Sequence, residues 1–247
     1  MVNIYYLYNS GFSIELGEDA VIVDYYKGGL GTPWRTPLAR NPGEYRGVYV
    51  LSSHVHGDHY NAGIFDWRSE RADIHYVLSE DIKHAAANPA RIKKRGHRVP
   101  VFLRDGDSAR VADLDIRAYG STDAGISFHI VSDDGTSLFH AGDFNYWHWR
   151  DESTDAEVSE ADAAFTGTLE KIRRGIDRLD IAFFPVDPRM GCDYYRGAVR
   201  FCEAMKPALF IPMHFSSKFA PPPEFYDEIN RYAKVAVPGP SAGKVSI

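Results

Sequence analysis

The pattern of hydrophobic and polar positions predicts that the chain opens as a β-sheet. Residues 12–16 alternate in polarity as a half-buried antiparallel strand does. Turn-forming residues separate this segment from two further predicted strands, residues 2–7 and 20–26. A short apolar run at 47–51 predicts a buried strand. Residues 27–46 are rich in glycine, proline and arginine without a clear period, and we expect a loop there.

The remaining pattern mixes helices with strands. Apolar residues at helical spacing predict one or two helices in residues 153–174 and an amphipathic helix at 194–205. Further helices are expected at 224–233 and in segments that begin near 61 and 79. The predicted strands here are residues 74–78, 99–103, 109–118, 126–132, 137–140, 179–185, 209–213, 234–237 and 244–247. We expect one domain over residues 1–247, made of two similar halves at about 1–118 and 119–247.

The composition narrows the class of protein. Hydrophobic residues make up 44% of the 247-residue chain, enough for a substantial core. The net charge of −6 argues against a general nucleic-acid binder, so no nucleic-acid partner is expected. The N-terminus has no basic region and no segment approaches the ~18 apolar residues of a membrane helix, so we expect neither a secretory signal nor a membrane partner. Cys192 and Cys202 form no CxxC pair, which favours reduced thiols and a cytoplasmic location.

Candidate metal ligands crowd into one short segment. His54, His56, Asp58 and His59 fall within six consecutive residues, directly after a predicted buried strand. Imidazole nitrogen and carboxylate oxygen are the usual protein ligands of zinc and similar divalent ions. His54 and His56 lie on the same side of an extended chain, whereas the break at Gly57 lets the next two ligands point elsewhere. The segment therefore favours two neighbouring metal sites over one, with an exposed polar loop as the alternative.

The spacing His-x-His-x-Asp-His in this segment resembles the signature of the metallo-β-lactamase superfamily. The phrase His-Ala-Gly-Asp, which ends at Asp143, is similar to the family's strand-end Gly-Asp. The phrase Ile-Pro-Met-His, which ends at His214, is similar to its strand-end histidine. Within the superfamily the chain looks closest to the broad metal-dependent hydrolases that include the ascorbate-6-phosphate lactonase-like proteins. The resemblance implies an α/β fold, the four-layer αβ/βα sandwich of two packed sheets between helices.

The resemblance also implies a ligand set. The expected ligands are His54 and His56 at the first metal, Asp58, His59 and His214 at the second, and Asp143 as the bridge between them. Asp58 and Asp143 are the expected catalytic residues. The implied cofactor is one or two divalent ions, zinc first and manganese as the alternative. Asp24, at the end of the third predicted strand, is either a partner of a metal histidine or a turn-forming aspartate.

The chain departs from the family where most members carry the third histidine of the first site. Residues 120–128 contain no histidine, and His129 lies too far into the next predicted strand to substitute easily. Asp123 or Ser121 stands at the approximate position. An aspartate can serve as an oxygen ligand and favours harder ions such as manganese. The alternative is that the first site is weak or empty and a single metal binds.

Four residues near the expected ligands are candidates for substrate binding. Asn145 and His148 belong to an aromatic run of the kind that forms pocket walls, with core packing as the alternative for its rings. His148 could also supply a missing ligand or a proton. Arg189 offers a planar fork for a carboxylate or phosphate, with a surface ion pair as the alternative. Lys218 could contact an anionic group.

These features together predict a metal-dependent hydrolase. We expect metal-activated water to attack an ester, lactone or phosphodiester bond of a small-molecule substrate, which can be anionic. No G-x-S-x-G segment is present, so a serine nucleophile is not expected. The alternatives are a nuclease of the same fold, an iron-bound oxygen- or thioester-handling protein, and a metal-binding protein with a partly decayed, non-catalytic site. A homo-oligomer is a common default for soluble enzymes.

Overall fold

A computed structural model of the chain describes residues 1–85, 97–149, 151–215, 221–237 and 244–246. Within these residues the strands form two sheets of seven strands each. The first sheet has the spatial order β14 (Lys244–Ser246), β1 (Val2–Tyr8), β2 (Gly11–Leu16), β3 (Asp19–Val23), β4 (Val48–Ser52), β5 (His75–Ser79) and β6 (Val101–Leu103). The second has the order β13 (Lys234–Val235), β12 (Leu209–Met213), β11 (Ile181–Pro185), β10 (Ser137–His140), β9 (Ile126–Ser132), β8 (Leu114–Gly120) and β7 (Ser108–Val111). The chain passes to the second sheet between β6 and β7 and returns to the first with β14.

The side chains of the first sheet alternate between two apolar layers. In β3, Val21 and Val23 belong to the core between the sheets, whereas Ile22 belongs to a separate outer cluster. This alternation follows from the period of two along a strand. The two sheets pack face to face, since the rings of Phe12 in β2 and Phe183 in β11 have centroids 4.6 Å apart. The main core therefore lies between the sheets.

Helices cover the two outer faces. The helix α1 (Glu80–Ala85) and a 3-10 helix at Ala62–Ser69 lie on the first sheet and contribute Ile82 and Ile64 to its outer cluster. The second sheet is covered by α2 (Asp155–Gly175), α3 (Arg196–Met205) and α4 (Pro223–Ile229). No helix in this described part of the chain has the length and apolar character needed to cross a bilayer. The layers confirm the predicted αβ/βα sandwich.

Local interactions explain how the helices differ from the sequence expectation. The segment predicted as one or two helices is a single helix, α2, which begins at a capping box formed by Thr154 and Glu157. The segment that begins near residue 61 is a 3-10 helix in which Asn61 caps the amide of Gly63. The last helix ends at Ile229 rather than at residue 233, because the chain turns there to enter β13.

Parallel strands bring the candidate ligands to one edge of the sandwich. Strands β3 and β4 are parallel in the first sheet, and β10, β11 and β12 are parallel in the second. Asp24 follows β3 directly, and His54 comes two residues after β4. Asp143, Asp187 and His214 follow β10, β11 and β12 within three residues. Because the carboxyl ends of parallel strands meet at the same edge, the fold concentrates these polar side chains there.

Candidate metal centre

Asp143 lies at the centre of a cluster of histidines. Its Oδ1 is 3.0 Å from Nε2 of His59 and 3.4 Å from Nε2 of His214. Its Oδ2 is 3.3 Å from Nε2 of His54. The two carboxylate oxygens therefore face different histidines, which is the arrangement a bridging carboxylate needs.

Three overlapping sets of side chains have potential ligand atoms within 4.8 Å of one another. The sets are His54, His59 and Asp143; Asp58, His59 and His214; and His56, Asp123 and Asp143. Every ligand expected from the sequence belongs to at least one of them, including the aspartate that stands where a histidine was expected. Asp143 belongs to two of these sets, so it could be shared between two ions.

Hydrogen bonds leave the Nε2 atoms of two histidines as acceptors. Nδ1 of His59 lies 2.8 Å from Oδ2 of Asp24, and Nδ1 of His214 lies 3.0 Å from Oδ2 of Asp187. A neutral imidazole that donates from Nδ1 to a carboxylate keeps a lone pair on Nε2. In both rings this lone pair faces Asp143, whose oxygens are acceptors as well. Acceptors that face each other in a buried site require a cation between them.

The burial and charge of the cluster agree with that requirement. Nε2 of His54, Nε2 of His59 and Oδ1 of Asp143 are buried and have no hydrogen-bond donor among the described residues. Burial lowers the pKa of His59, but the carboxylates of Asp143 and Asp24 outweigh it and raise that pKa to about 10. Burial raises the pKa of Asp143, yet His54 and His59 hold it well below its usual value. A proton or a metal ion must sit here, and the donor set fits a divalent metal.

Asp24 supports two of the histidines from behind. The amide of Ser53 donates to its Oδ1 and the hydroxyl of Ser53 donates to its Oδ2, both at 2.7 Å. The same hydroxyl oxygen lies 3.0 Å from Nδ1 of His54 and can accept its proton. Asp24 is fully buried and has a left-handed backbone with φ 48°. It therefore satisfies both alternatives raised by the sequence, as a turn residue and as a partner of His59.

The other side of the cluster is open to solvent. The side chains of His56 and Asp123 are about half exposed, and His56 Nδ1 lies 3.9 Å from Asp123 Oδ2. Within the described residues no buried carboxylate lies behind His56. Asp58 is also partly exposed, and its Oδ2 accepts a hydrogen bond of 3.1 Å from Nδ2 of Asn9. The site around His56 and Asp123 is thus less supported than the site around His59 and His214.

A close backbone contact joins the two sheets at this edge. The amide of Ile126 donates to the carbonyl oxygen of Ser53 at 3.0 Å. Gly125 precedes it with φ +64°, and a Cβ there would lie 2.1 Å from the same carbonyl oxygen. Only glycine allows this approach, which places the segment that carries Asp123 beside the end of β4.

A cavity of about 440 Å³ opens onto the cluster. Its lining consists of the ligand candidates His56, Asp58, Asp123, Asp143 and His214, together with Thr122, Trp147, Trp149, Asp187 and Arg189. This volume lies within the usual range for small-molecule sites. Arg189 donates from Nε to both oxygens of Asp187 at 2.9 Å, so the arginine stands beside the aspartate that supports His214.

Two of the four candidate substrate residues lie outside this cavity lining. Asn145 is buried, with Nδ2 near Met190 Sδ and Oδ1 in the space next to Gly197 of α3. His148 is buried as well, and its Nε2 lies 3.2 Å from Oδ2 of Asp193. Both side chains turn into the packing between the second sheet and α3, so the geometry gives them no contact with a substrate in the cavity. Lys218 lies outside the described residues.

Three residues have roles at the site that were not predicted from the sequence. Asp187 supports His214, Ser53 connects His54 to Asp24, and Asn9 positions Asp58. Asp187 had a detectable signal, because it ends a buried strand in the same way as Asp24 and Asp143 do. Ser53 and Asn9 gave none, since serine and asparagine at strand ends and turns are common.

The chain is similar to known proteins in sequence and in fold. A family model described as a beta-lactamase superfamily domain matches residues 20–215. A UPF0173 metal-dependent hydrolase of Thermoplasma acidophilum is 27% identical over 213 residues, which cover 82% of this chain and 78% of the relative. A UPF0173 metal-dependent hydrolase of Archaeoglobus fulgidus is 26% identical over 228 residues, covering 87% and 84%. A metallo hydrolase of Ignicoccus hospitalis has the same fold, with a TM-score of 0.66, 19% identity and coverage of 100% of this chain and 99% of that one.

Proposed function

The chain belongs to the beta-lactamase superfamily and is a metal-dependent hydrolase, and from that premise we propose that it hydrolyses an ester, lactone or phosphodiester bond of a small molecule. One observation carries the proposal: buried acceptor atoms of His54, His59 and Asp143 face one another without a hydrogen-bond donor among the described residues. A proton or a metal ion is needed to satisfy them, the donor set fits a divalent metal, and metal-activated water is the chemistry that such a centre supports.

The ligand assignment follows the clustering of the side chains. We assign His54, His56 and Asp123 to the first ion, Asp58, His59 and His214 to the second, and Asp143 to both. Asp123 supplies a carboxylate oxygen where a third histidine nitrogen was expected, so the ligands of the first site favour harder metal ions. We therefore expect zinc at the second site and either zinc or manganese at the first. The open position of His56 and Asp123 makes the first ion the more weakly held one.

The chain's own residues orient the reaction. When bound, the two ions supply Lewis acidity and make water nucleophilic near neutral pH. Asp24 and Asp187 keep His59 and His214 in the tautomer with a free Nε2. Asn9 holds Oδ2 of Asp58 in place, which leaves Oδ1 to accept the proton released as water attacks.

The size and position of the cavity favour a small substrate. At about 440 Å³ it suits a molecule of a few tens of atoms at most rather than a polymer. Trp147, Trp149 and Arg189 line this cavity together with the ligand candidates. A small ester, lactone or phosphodiester fits such a space better than a nucleic-acid strand.

Metal content and metal-restored hydrolysis test the proposal. Protein purified without chelator is analysed for zinc, manganese and iron, then stripped, reloaded and assayed on 4-nitrophenyl acetate, a simple lactone and bis(4-nitrophenyl) phosphate. We expect two equivalents of metal and hydrolysis of at least one class that disappears on stripping. Asp143→Asn should lose both properties. Asp180→Asn, at the opposite end of the same parallel strands, is the matched control and should keep both. A chain that binds no metal after zinc and manganese are added back is not the proposed hydrolase.

A further inference from the structure

An exposed tryptophan stands at the mouth of the metal cavity. Trp149 is 44% exposed, and among the described residues only Met1 and Val99 are other large hydrophobic side chains with high exposure. Met1 and Val99 lie outside the cavity lining, whereas Trp149 belongs to it. An exposed indole beside a cavity leaves apolar surface in water that a bound molecule can cover.

Trp147 fixes this surface relative to the metal cluster. The rings of Trp147 and Trp149 are stacked, with centroids 6.3 Å apart and planes 19° apart, so Trp147 helps to hold the indole of Trp149 in place. Nε1 of Trp147 donates to the backbone oxygen of Asp143 at 2.7 Å. Its ring also contacts the edge of His214 at a centroid distance of 5.5 Å. The stacked pair is therefore anchored, through Trp147, to two of the proposed metal ligands.

Arg189 provides a cationic edge in the same cavity. Its side chain is 74% exposed, and its Nε and Nη2 atoms bond to Asp187. Among the described residues, its Nη1 atom has no hydrogen-bond or ion-pair partner. The pair with Asp187 therefore holds the guanidinium in one orientation while leaving donor hydrogens free for an incoming oxyanion.

The charge of the cavity favours an anion only in the metal-loaded protein. Four carboxylates line it, those of Asp58, Asp123, Asp143 and Asp187, and Arg189 is the cationic side chain among the described lining residues. The metal-free cavity is thus acidic. Two bound divalent ions would make the net charge of the cavity positive, so a negatively charged molecule would be attracted to it.

We infer that the substrate combines an oxyanion with a flat apolar group: its carboxylate or phosphate binds Arg189, and its flat group stacks on Trp149 beside the bond that is cleaved. This inference rests on the hydrolase function proposed above, since it names the class of molecule that the same site accepts. Trp149 and Arg189 then select the substrate, while the metal ligands and Asp58 carry out the reaction.

Binding of matched, non-hydrolysable probes tests the inference separately from hydrolysis. Calorimetry on the metal-loaded protein compares 2-naphthoate and 2-naphthylmethylphosphonate, which carry both features, with 2-naphthamide, which lacks the charge, and acetate, which lacks the ring. We expect one or both of the two-feature anions to bind about tenfold or more tightly than either single-feature probe, as a stacked ring and a charge-assisted hydrogen bond each contribute. The stronger of the two anions identifies the oxyanion as carboxylate or phosphate-like.

Variants assign the two features to their residues. Trp149→Ala should remove most of the preference for naphthoate over acetate, and Trp149→Phe should restore part of it. Arg189→Gln should remove most of the preference for naphthoate over naphthamide, and Arg189→Lys should restore part of it.

Trp34→Phe controls for loss of a tryptophan outside the cavity. Arg178→Gln is the matched control for Arg189, because Arg178 pairs with Asp180 before β11 as Arg189 pairs with Asp187 after it. Metal content is measured for every variant.

The outcomes separate this inference from the proposed function. Equal affinity for all four probes, or preferences that persist in Trp149→Ala and Arg189→Gln at unchanged metal content, overturns the inference. A charge preference that survives Arg189→Gln means that the ions alone hold the anion. Absence of metal-dependent hydrolysis on every substrate overturns the proposed function, whatever the probe affinities are.

Discussion

Nδ1 of His59 lies 2.8 Å from Oδ2 of Asp24, although the two residues are 35 positions apart in the chain. Both are fully buried, and Asp24 also accepts from the amide and the hydroxyl of Ser53. A single carboxylate thereby sets the tautomer of His59 and, through Ser53, the orientation of His54. Its removal should affect metal binding more than folding.

Asp24→Asn should weaken metal binding by about 10- to 100-fold, the usual effect of losing a partner behind a ligand. If the amide oxygen keeps the bond to the Ser53 backbone, the amide NH₂ faces Nδ1 of His59. The imidazole must then carry its proton on Nε2, where the metal belongs. Competition with a chromophoric zinc chelator measures the affinity. Asp19→Asn is the control, since Asp19 is a buried aspartate at the other end of β3 that pairs with Arg46. Unchanged zinc affinity in Asp24→Asn would contradict the assigned role.

Asp123→Ala should reduce bound metal from about two equivalents to about one, because it removes the ligand that completes the first site. Asp123→His should tighten zinc at that site relative to manganese, since imidazole is the softer ligand. Elemental analysis after dialysis against limiting metal checks both variants. Asp177→Ala, an exposed aspartate away from the cavity lining, should retain two equivalents. If Asp123→Ala also retains two, another group completes the first site.

Gly125→Ala should destabilise the protein by about 3–5 kcal/mol, from a severe contact added to left-handed strain. The new Cβ would lie 2.1 Å from the Ser53 carbonyl oxygen and 2.4 Å from Cβ of His54. Gly135→Ala is a matched control, because Gly135 also has a positive φ, +82°, but has nothing within 4 Å. We expect the control to cost about 1–2 kcal/mol from strain alone. Urea unfolding of both variants measures the difference, and equal losses would mean that the sheets separate easily at this edge.

His129 should make the protein less stable as the pH falls from about 6.5 to about 4. Burial and the nearby Arg117 guanidinium lower the pKa of His129 from 6.5 to about 4. The unfolded chain therefore binds a proton in this range that the folded chain does not, so the stabilisation is complete above pH 6.5 and is lost as the pH decreases.

His129→Gln isolates this effect. Nε2 of His129 lies 2.9 Å from Oγ of Ser137, whose hydroxyl donates to the carbonyl of Arg178. A glutamine amide can keep the bond to Ser137 without titrating. The free energy of unfolding of wild type minus variant, measured at several pH values, should fall by up to about 3 kcal/mol between pH 7 and pH 4. A difference that is constant with pH would show that His129 does not titrate as inferred.

The sequence predicted most strands and helices well because they depend on local patterns, whereas their arrangement in layers was implied by the family resemblance. The alternation of Val21, Ile22 and Val23 and the apolar run that forms β4 follow from a period of two that any half-buried or buried strand must have. The helical spacing in residues 153–174 predicted α2, whose start the structure shows at the capping box of Thr154 and Glu157. The end of the last helix was predicted less well, since the helix ends at Ile229 with Asn230 as its C-cap rather than at residue 233.

The sequence by itself determined most strands and helices and the crowding of His54, His56, Asp58 and His59, because both depend on short-range spacing, whereas the sandwich was implied by the resemblance to a known family. The tertiary structure alone decided which carboxylate supports which histidine, since Asp187 and His214 are 27 positions apart and meet only when β11 and β12 pair. It also decided that the side chains of Asn145 and His148 turn towards α3 while Trp147 and Trp149 line the cavity. Beyond a strand end no periodicity directs a side chain, so packing against the next layer sets its direction.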